Sequence, residues 1–469
     1  MAAALYYARL DLTLSHYDAR GHLMVARRVI DNLTPGWTQL GAVWLPLPHL
    51  LNLVPAQWDW SYRTGAVGAL LSVASLSIGL GAFAGYLLRT TSSAAISAAV
   101  PLIILLNPNV LYLQSTPMTE PLLFGLSLLA LVAVDRWLGQ TAAEPTWPAG
   151  LLLAALVLTR YEGWAIAGAL VGLAGLAAPT RTLRLVCYPV VAIIGFLFLS
   201  KGSTGNWFVT SGFFEPNNPA LGHPMLAIFQ VIEGASRLGG VWVLGLGLVG
   251  VVACVLRAVR LARTSRIDAL RALLPLALVA AAALPVYAFS NGHPVRIRYM
   301  VALAVAAAAL SAYALARLPQ RLHFIAAGAC VALSVWVTPP ISGEIEDQAP
   351  MVREAQWERP YGEARRAVTA ALADRWDHTP IMASMGSLGH YMQQMSAQGF
   401  DLRDFLHEGN GDIWKAALKD PKRHVRWMLI EESAEGGDML AALAREDESF
   451  LSGFTRVAEG GGVALYARR

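Results

Sequence analysis

Charge is what this sequence has least of. Only 14% of its 469 residues are Asp, Glu, Lys or Arg, while 55% are hydrophobic. Soluble domains carry about 25% charged residues. A chain so apolar cannot hide its surface inside one globule, which excludes an ordinary soluble domain and points to several membrane spans. Cysteine is scarce as well. Cys187, Cys254 and Cys330 each lie within apolar runs, without the spacing of a metal site or a disulfide framework, and read as small packed hydrophobes. Residues 1–10 hold too short an apolar run, interrupted by Arg9, to be the core of a cleavable signal peptide.

The charge that is present is unevenly placed. Residues 341–469 carry 15 Lys and Arg against 21 Asp and Glu, whereas residues 1–340 carry 21 against 11. This contrast predicts a basic membrane domain over 1–340 and an acidic soluble domain over 341–469. The high isoelectric point then comes from loop arginines, and nucleic acid is not expected as a partner.

Runs approaching the roughly 20 residues a membrane helix needs fall at 63–88, 94–106, 121–138, 148–159, 164–178, 182–200, 239–259, 272–290, 299–317 and 322–338. The fold class expected is therefore a polytopic α-helical membrane protein of about 10–11 transmembrane helices, with a small α/β C-terminal domain. Alternate loops carry Arg89; Arg136; Arg181 and Arg184; Arg257, Arg260, Arg263, Arg266 and Arg271; Arg317 and Arg321. The positive-inside rule assigns these to the cytoplasm. Residues 1–61, the other short loops and the C-terminal domain are thereby placed outside. An outward N-terminus requires either that translocation relies on the span 63–88 or, the expectation favoured here, that a first helix is missing and Ala2–Leu10 is its tail.

The first outer loop, 11–61, opens with His16-Tyr17-Asp18-Ala19-Arg20-Gly21-His22 and continues into His22–Leu33. That segment has helical apolar spacing but too much charge to span, which predicts a helix lying at the outer interface. Pro35-Gly36 ends it, and Trp44, Trp58 and Trp60, like Trp207 further on, read as interfacial anchors. Residues 201–238 are rich in turn residues and predict a long loop. In the C-terminal part, 357–376 predicts a helix, and Pro380–Ser384, Val425–Glu431 and Gly462–Arg468 predict buried strands. His407-Glu408-Gly409-Asn410-Gly411-Asp412 reads as a turn with Asp412 capping a helix; a divalent metal is possible there but not indicated, and no cofactor is expected.

Four clusters fall on the outward side: Asp18 with Arg20 and the flanking histidines; Thr119-Glu120-Pro121; Arg160-Tyr161-Glu162; and His293-Pro294-Val295-Arg296-Ile297-Arg298-Tyr299. Charges at the mouths of membrane helices are costly, and a shared side argues for shared work. The bland alternative is that each caps a helix or pairs locally, Arg160 with Glu162 for instance. Chemically the set suits transfer from a phosphate-linked donor. Asp18 can accept a proton from an attacking hydroxyl or amine, and Arg296 and Arg298 can hold a phosphate leaving group. No nucleotide-binding loop lies on the cytoplasmic side, so a lipid-linked sugar is the expected donor.

These residues carry a resemblance to the GT-C glycosyltransferases, in particular the polyprenyl-phosphate-sugar branch that includes protein O-mannosyltransferases and the aminoarabinose transferase of lipid A. It covers about residues 11–310, through Asp18-Ala19-Arg20, Met118-Thr119-Glu120-Pro121, Arg160-Tyr161-Glu162-Gly163-Trp164 and Arg298-Tyr299. The resemblance implies an inverting transferase in which Asp18 serves as catalytic base or orients the acceptor. Arg20, Arg160, Glu162, His293, Arg296, Arg298 and Tyr299 then bind the lipid phosphate or sugar. Three features depart from the family: Ala19 stands where a second acidic residue is usual, Trp44-Leu45-Pro46-Leu47-Pro48-His49 stands where the lipid A branch has a Glu-Lys-Pro-like segment, and the Trp-Trp-Asp motif of oligosaccharyltransferases is missing. The first departure makes Glu120 the candidate second carboxylate. The expected partners are a polyprenyl-phosphate sugar, membrane lipid, and a protein, glycan or lipid acceptor. A lipid-sugar flippase or transporter, and an inactive lipid-sugar-binding scaffold, stay open as alternatives. The former should place charges near span centres, where this sequence has few.

Overall fold

A computed structural model describes every residue except 141–144, 210–213, 216, 342–348, 434–436 and 448. Among the described residues, seven helices are long and apolar enough to cross a membrane, and three shorter apolar ones, Ala94–Leu106, Trp147–Val157 and Glu162–Ala177, accompany them. The protein is a multi-pass membrane protein with a small C-terminal sheet domain. The runs at 94–106, 148–159 and 164–178 are short helices, and Trp147–Val157 and Glu162–Ala177 meet at a tight connection that contains Arg160.

Contacts divide the chain into two compact units that do not follow chain order. One comprises residues 1–6, 70–196 and 215–354; the other comprises 7–69, 197–214 and 355–469. In the first unit the helices are packed through small residues, which let backbones approach where lipid gives no hydrophobic incentive to associate. A Cβ on Gly125 would lie 2.2 Å from the Ser75 carbonyl oxygen, and one on Gly250 would lie 2.0 Å from that of Leu310. The alanine-rich helix Val301–Leu315 is buried along almost its whole length. The span Arg266–Ser290 is α-helical at both ends but tightens to a 3-10 helix over Leu274–Ala282, with Pro275 at its start. At the end of the bundle that carries the basic loops, Asp135 accepts from Arg271 Nε at 2.9 Å. The loop expected over 201–238 is in part helical. Pro224–Gly239 forms a helix, started by a proline that needs no N–H partner there, and its apolar residues supply the helical period.

The second unit is built on a five-stranded sheet of order β2-β1-β3-β5-β4. Its strands are β1 Ile381–Ala383, β2 Phe405–Leu406, β3 Trp427–Glu431, β4 Phe454–Gly460 and β5 Val463–Arg468. β2, β1 and β3 run parallel, and β5 and β4 pair antiparallel. β3 is buried throughout, as a strand covered on both faces must be. Its side chains alternate: Trp427 and Leu429 enter one core, Met428 and Ile430 the other. The first of these cores also takes Met24, Val25, Val29 and Leu40 from the first outer loop. The loop and the C-terminal domain thus share one apolar interior.

That packing covers with protein the helix expected at the membrane interface. The helix runs Tyr17–Arg27, starting five residues earlier than expected, and is buried from Asp18 to Arg27. It rests on the helix Met385–Met395: a Cβ on Gly389 would come within 2.7 Å of Met24 Cε. Arg27 and Asp31 form a buried ion pair at 2.8 Å. Asp412 is likewise not a cap. It is the first residue of the helix Asp412–Lys419, whose cap position is Gly411.

Candidate functional site

Thr119-Glu120-Pro121 and Tyr161-Glu162 each sit where a helix begins, so Glu120 opens Glu120–Gly139 and Glu162 opens Glu162–Ala177. A carboxylate there meets the positive end of the helix dipole. Both are about 2% exposed. The connection between Trp147–Val157 and Glu162–Ala177 brings Arg160 between them. Its Nη1 donates to Glu120 Oε1 and to Thr119 Oγ1, each at 2.9 Å. Its Nη2 donates to Glu162 Oε1 at 2.7 Å. The local Arg160–Glu162 pair weighed in the sequence does form, but it is half of a triad that closes over residues 40 apart.

The second element of this site is the 3-10 turn Ile297–Met300 that precedes the buried alanine-rich helix. The Arg160 guanidinium lies 5.9 Å from the centre of the Tyr299 ring, and that of Arg298 lies 5.3 Å from it. His293 meets the same ring edge-on at 5.4 Å. Asn218 Nδ2 holds the His293 carbonyl at 2.7 Å, and Glu354 Oε2 accepts from the Ile297 N–H at 2.9 Å. These ties fix the turn from both sides. Arg296 and Arg298 are each about 6% exposed. Two cations therefore lie within about 6 Å of one aromatic ring, and two carboxylates, Glu120 and Glu162, pair directly with Arg160. The structure thus brings together Glu120, Arg160, Glu162, His293, Arg298 and Tyr299, with Arg296 on the same turn.

Asp18 and Arg20 belong to the other unit. His16 is the N-cap of the helix Tyr17–Arg27, and its Nδ1 accepts from the Asp18 N–H at 3.0 Å. Accepting at Nδ1 leaves the ring proton on Nε2 in the neutral form. Asp18 lies in the first turn and is 6% exposed. Arg20 turns back on the chain that enters this helix: Nε donates to the Leu14 carbonyl at 2.6 Å and Nη2 to that of Ser15 at 3.3 Å. Ser15 Oγ donates in turn to the Ala355 carbonyl at 2.8 Å.

Close by is a polar network that the sequence did not single out. Arg365 pairs with Glu358 and with Glu431, the latter at 2.7 Å, and lies 2.9 Å from His390 Nε2. The His390 ring meets Tyr17 edge-on at 6.3 Å. Burial raises Glu431 to about 7, opposed by Arg365 and reinforced by Glu358 and Asp438. Burial would also raise Glu358, but His390 and Arg365 outweigh it and hold that carboxylate at about 2. A third network joins His22 Nδ1 to His49 Nε2 at 3.1 Å, with Trp44 against His22. Burial and the nearby Arg28 charge lower His49 to about 3, so His49 is neutral at physiological pH. His407, in the segment read as a turn, is buried and joins Asn32 at 3.0 Å. Among the described residues no three His, Cys, Asp or Glu side chains cluster as a metal site would need.

No protein-family model and no curated protein matches this chain. Solved structures do. The crystal structure of ArnT from Cupriavidus metallidurans bound to undecaprenyl phosphate superposes with a TM-score of 0.52 at 15% identity, covering 99% of this chain and 96% of that one. Its apo form superposes with a TM-score of 0.54 at 17% identity and the same coverage. ArnT is a GT-C glycosyltransferase. The likeness is one of architecture along nearly the whole length of both chains, and it gives this protein a GT-C fold.

Proposed function

We propose that the protein is an integral-membrane glycosyltransferase that moves a sugar from a polyprenyl-phosphate carrier to an acceptor on the extracytoplasmic face, with inversion. The observation that carries this reading is the convergence of Arg160 and Arg298 on the Tyr299 ring. It lies in a fold whose solved relative holds undecaprenyl phosphate. Arg296 and Arg298 would bind the lipid phosphate, with His293 and Tyr299 shaping its seat. Fixed guanidinium groups stabilise the charge that develops on a departing phosphate better than water can. Asp18 would take the proton from the acceptor hydroxyl or amine as its oxygen or nitrogen attacks the anomeric carbon. The carbon–oxygen bond to phosphate breaks, and its electron pair leaves with the phosphate. Glu120, with Arg160 and Glu162, would supply the second carboxylate that Ala19 does not. The positive-inside pattern of the loops supports an outward active site and C-terminal domain.

The test starts with mass spectrometry of lipid that co-purifies with the protein, followed by binding of undecaprenyl phosphate and turnover of undecaprenyl-phosphate-linked sugars. Asp18→Asn should abolish transfer and leave undecaprenyl phosphate binding intact, whereas Arg298→Ala should weaken that binding. Full transfer by Asp18→Asn would sink the assignment of the base. Failure to bind any polyprenyl phosphate would sink the function.

A further inference from the structure

We infer that Gln394, on the helix Met385–Met395 of the C-terminal domain, is a positioning residue for Asp18 and acts through Arg20. The inference rests on the reading of Asp18 as the base. Asp18 itself sits on a short strap, residues 14–20, where the chain enters the helix Tyr17–Arg27. Arg20 draws the two ends of that strap together by binding the Leu14 and Ser15 carbonyls. What holds Arg20 in that pose comes from far away in sequence. With its oxygen facing the guanidinium, the Gln394 amide accepts from Arg20 Nη1 at 2.6 Å and from Nη2 at 3.2 Å.

The geometry is that of a clamp. Arg20 has five N–H donors in a fixed plane. Nε and one Nη2 proton are turned to the strap, and the outer edge is turned to Gln394. Arg20 is about 8% exposed, so water is a poor substitute for either set of acceptors. An amide oxygen receiving from a buried cation makes a charge-assisted bond, stronger than a neutral one. The strap has two further ties, Ser15 Oγ to the Ala355 carbonyl and the Tyr17 ring against His390. Both lead to the same domain. The capping bond from the Asp18 N–H to His16 lies between all of these. Removing the Gln394 oxygen takes an acceptor from Arg20, weakens its hold on the Leu14 and Ser15 carbonyls, and widens the motion of the strap that carries Asp18. A displacement of about 1 Å at a reacting group can lower turnover by about 100-fold without touching the chemistry.

The test uses the full chain in nanodiscs, with Gln394→Leu, Gln394→Glu and Asp18→Asn. Gln394→Leu should lower kcat by about 10-fold or more with undecaprenyl-phosphate-linked sugar, and leave KM within about 2-fold. Gln394→Glu keeps an acceptor for Arg20 and should restore kcat. Hydrogen–deuterium exchange over residues 14–20 should quicken in Gln394→Leu, return to normal in Gln394→Glu, and stay normal in Asp18→Asn. Unchanged exchange in Gln394→Leu overturns the clamp whether or not any sugar is transferred. An unchanged kcat, or a change confined to KM, overturns its role in positioning. Transfer by Asp18→Asn overturns the base assignment alone, because the exchange measurement still reads the clamp.

Discussion

Arg160 donates to Glu120 Oε1 across 2.9 Å, while Glu120 Oε2, on the same buried carboxylate, has no hydrogen-bond partner among the described residues. The two residues therefore depend on each other unequally. Arg160 retains Glu162 if Glu120 is neutralised, but both carboxylates are stranded if Arg160 goes. Removing one member of a buried ion pair costs about 3–5 kcal/mol, whereas exchanging an acceptor that keeps its shape costs about 1–2 kcal/mol. Arg160→Met should lower the thermal midpoint in detergent well below that of Glu120→Gln. Equal midpoints would show that the triad does not lock the helix ends.

Asp31 is the corresponding hub of the unit built on the sheet. It accepts from Arg27 Nε and from Arg403 Nε, each at 2.8 Å, and from the Leu402 N–H at 3.2 Å. Burial alone would raise its pKa, but the hydrogen bonds from Arg27 and Arg403 outweigh it and hold the carboxylate below its usual range. A depressed acid contributes stability that is present above its unfolded value of about 4 and is lost as pH falls through the folded value. Asp31→Asn should destabilise the protein by about 3 kcal/mol at pH 7, with the difference from wild type shrinking below about pH 4. Melting curves across that range measure it. A difference that does not shrink on acidification would assign the loss to packing and not to charge.

Glu431 has the opposite sign. Burial raises it to about 7 against the pull of Arg365. Its contribution to stability is therefore fully present below the ordinary glutamate range, near 4, and is lost as pH rises toward 7. Between about pH 5 and pH 8 the wild type should lose more stability than Glu431→Gln, whose side chain carries no charge to bury. Parallel curves for the two proteins over that window would show that Glu431 is ionised throughout, fully compensated by Arg365.

The strands and charges that the sequence reveals share a simple signature. β1, β3 and β5 stand out because their short apolar runs are bounded by turn residues. β2 has two residues, and β4 is an edge strand that mixes polar and apolar residues with only Phe454 fully buried, so neither offers a period to detect. Asp18, Glu120, Arg160 and Arg298 are visible as charges beside apolar runs. The partnerships are what sequence cannot show. Gln394 is a half-buried polar residue on an amphipathic helix, with nothing to tell it from a solvated one, and its partner lies more than 370 residues away. Arg27 and Asp31 look like surface charges by helical spacing, yet a second segment covers them. The chain order also separates residues 7–69 from residues 355–469, although Met24 and Leu429 belong to one core.

The membrane unit makes its own prediction, through glycine. The helix Val241–Leu261 presents Gly247 and Gly250 to the helix Val301–Leu315, and added Cβ atoms would meet the Ala307 and Leu310 carbonyl oxygens at 2.8 Å and 2.0 Å. Both contacts are with backbone, so no side chain can rotate out of the way. In lipid, where apolar burial does not favour one helix pairing over another, this close approach is the source of the packing attraction. Gly250→Leu should force the two helices apart and abolish a monodisperse purified protein. Gly245→Leu is the control, since a Cβ at Gly245 meets nothing within 4 Å, and it should behave as wild type. Size-exclusion profiles of the two variants in the same detergent make the comparison, and a normal Gly250→Leu profile would mean that this crossing tolerates separation. Because Val301–Leu315 follows directly on the turn that carries Arg298 and Tyr299, a displaced crossing should, on the proposed function, also weaken undecaprenyl phosphate binding. A milder Gly250→Ala variant, if it stays monodisperse, is the protein in which to measure that loss.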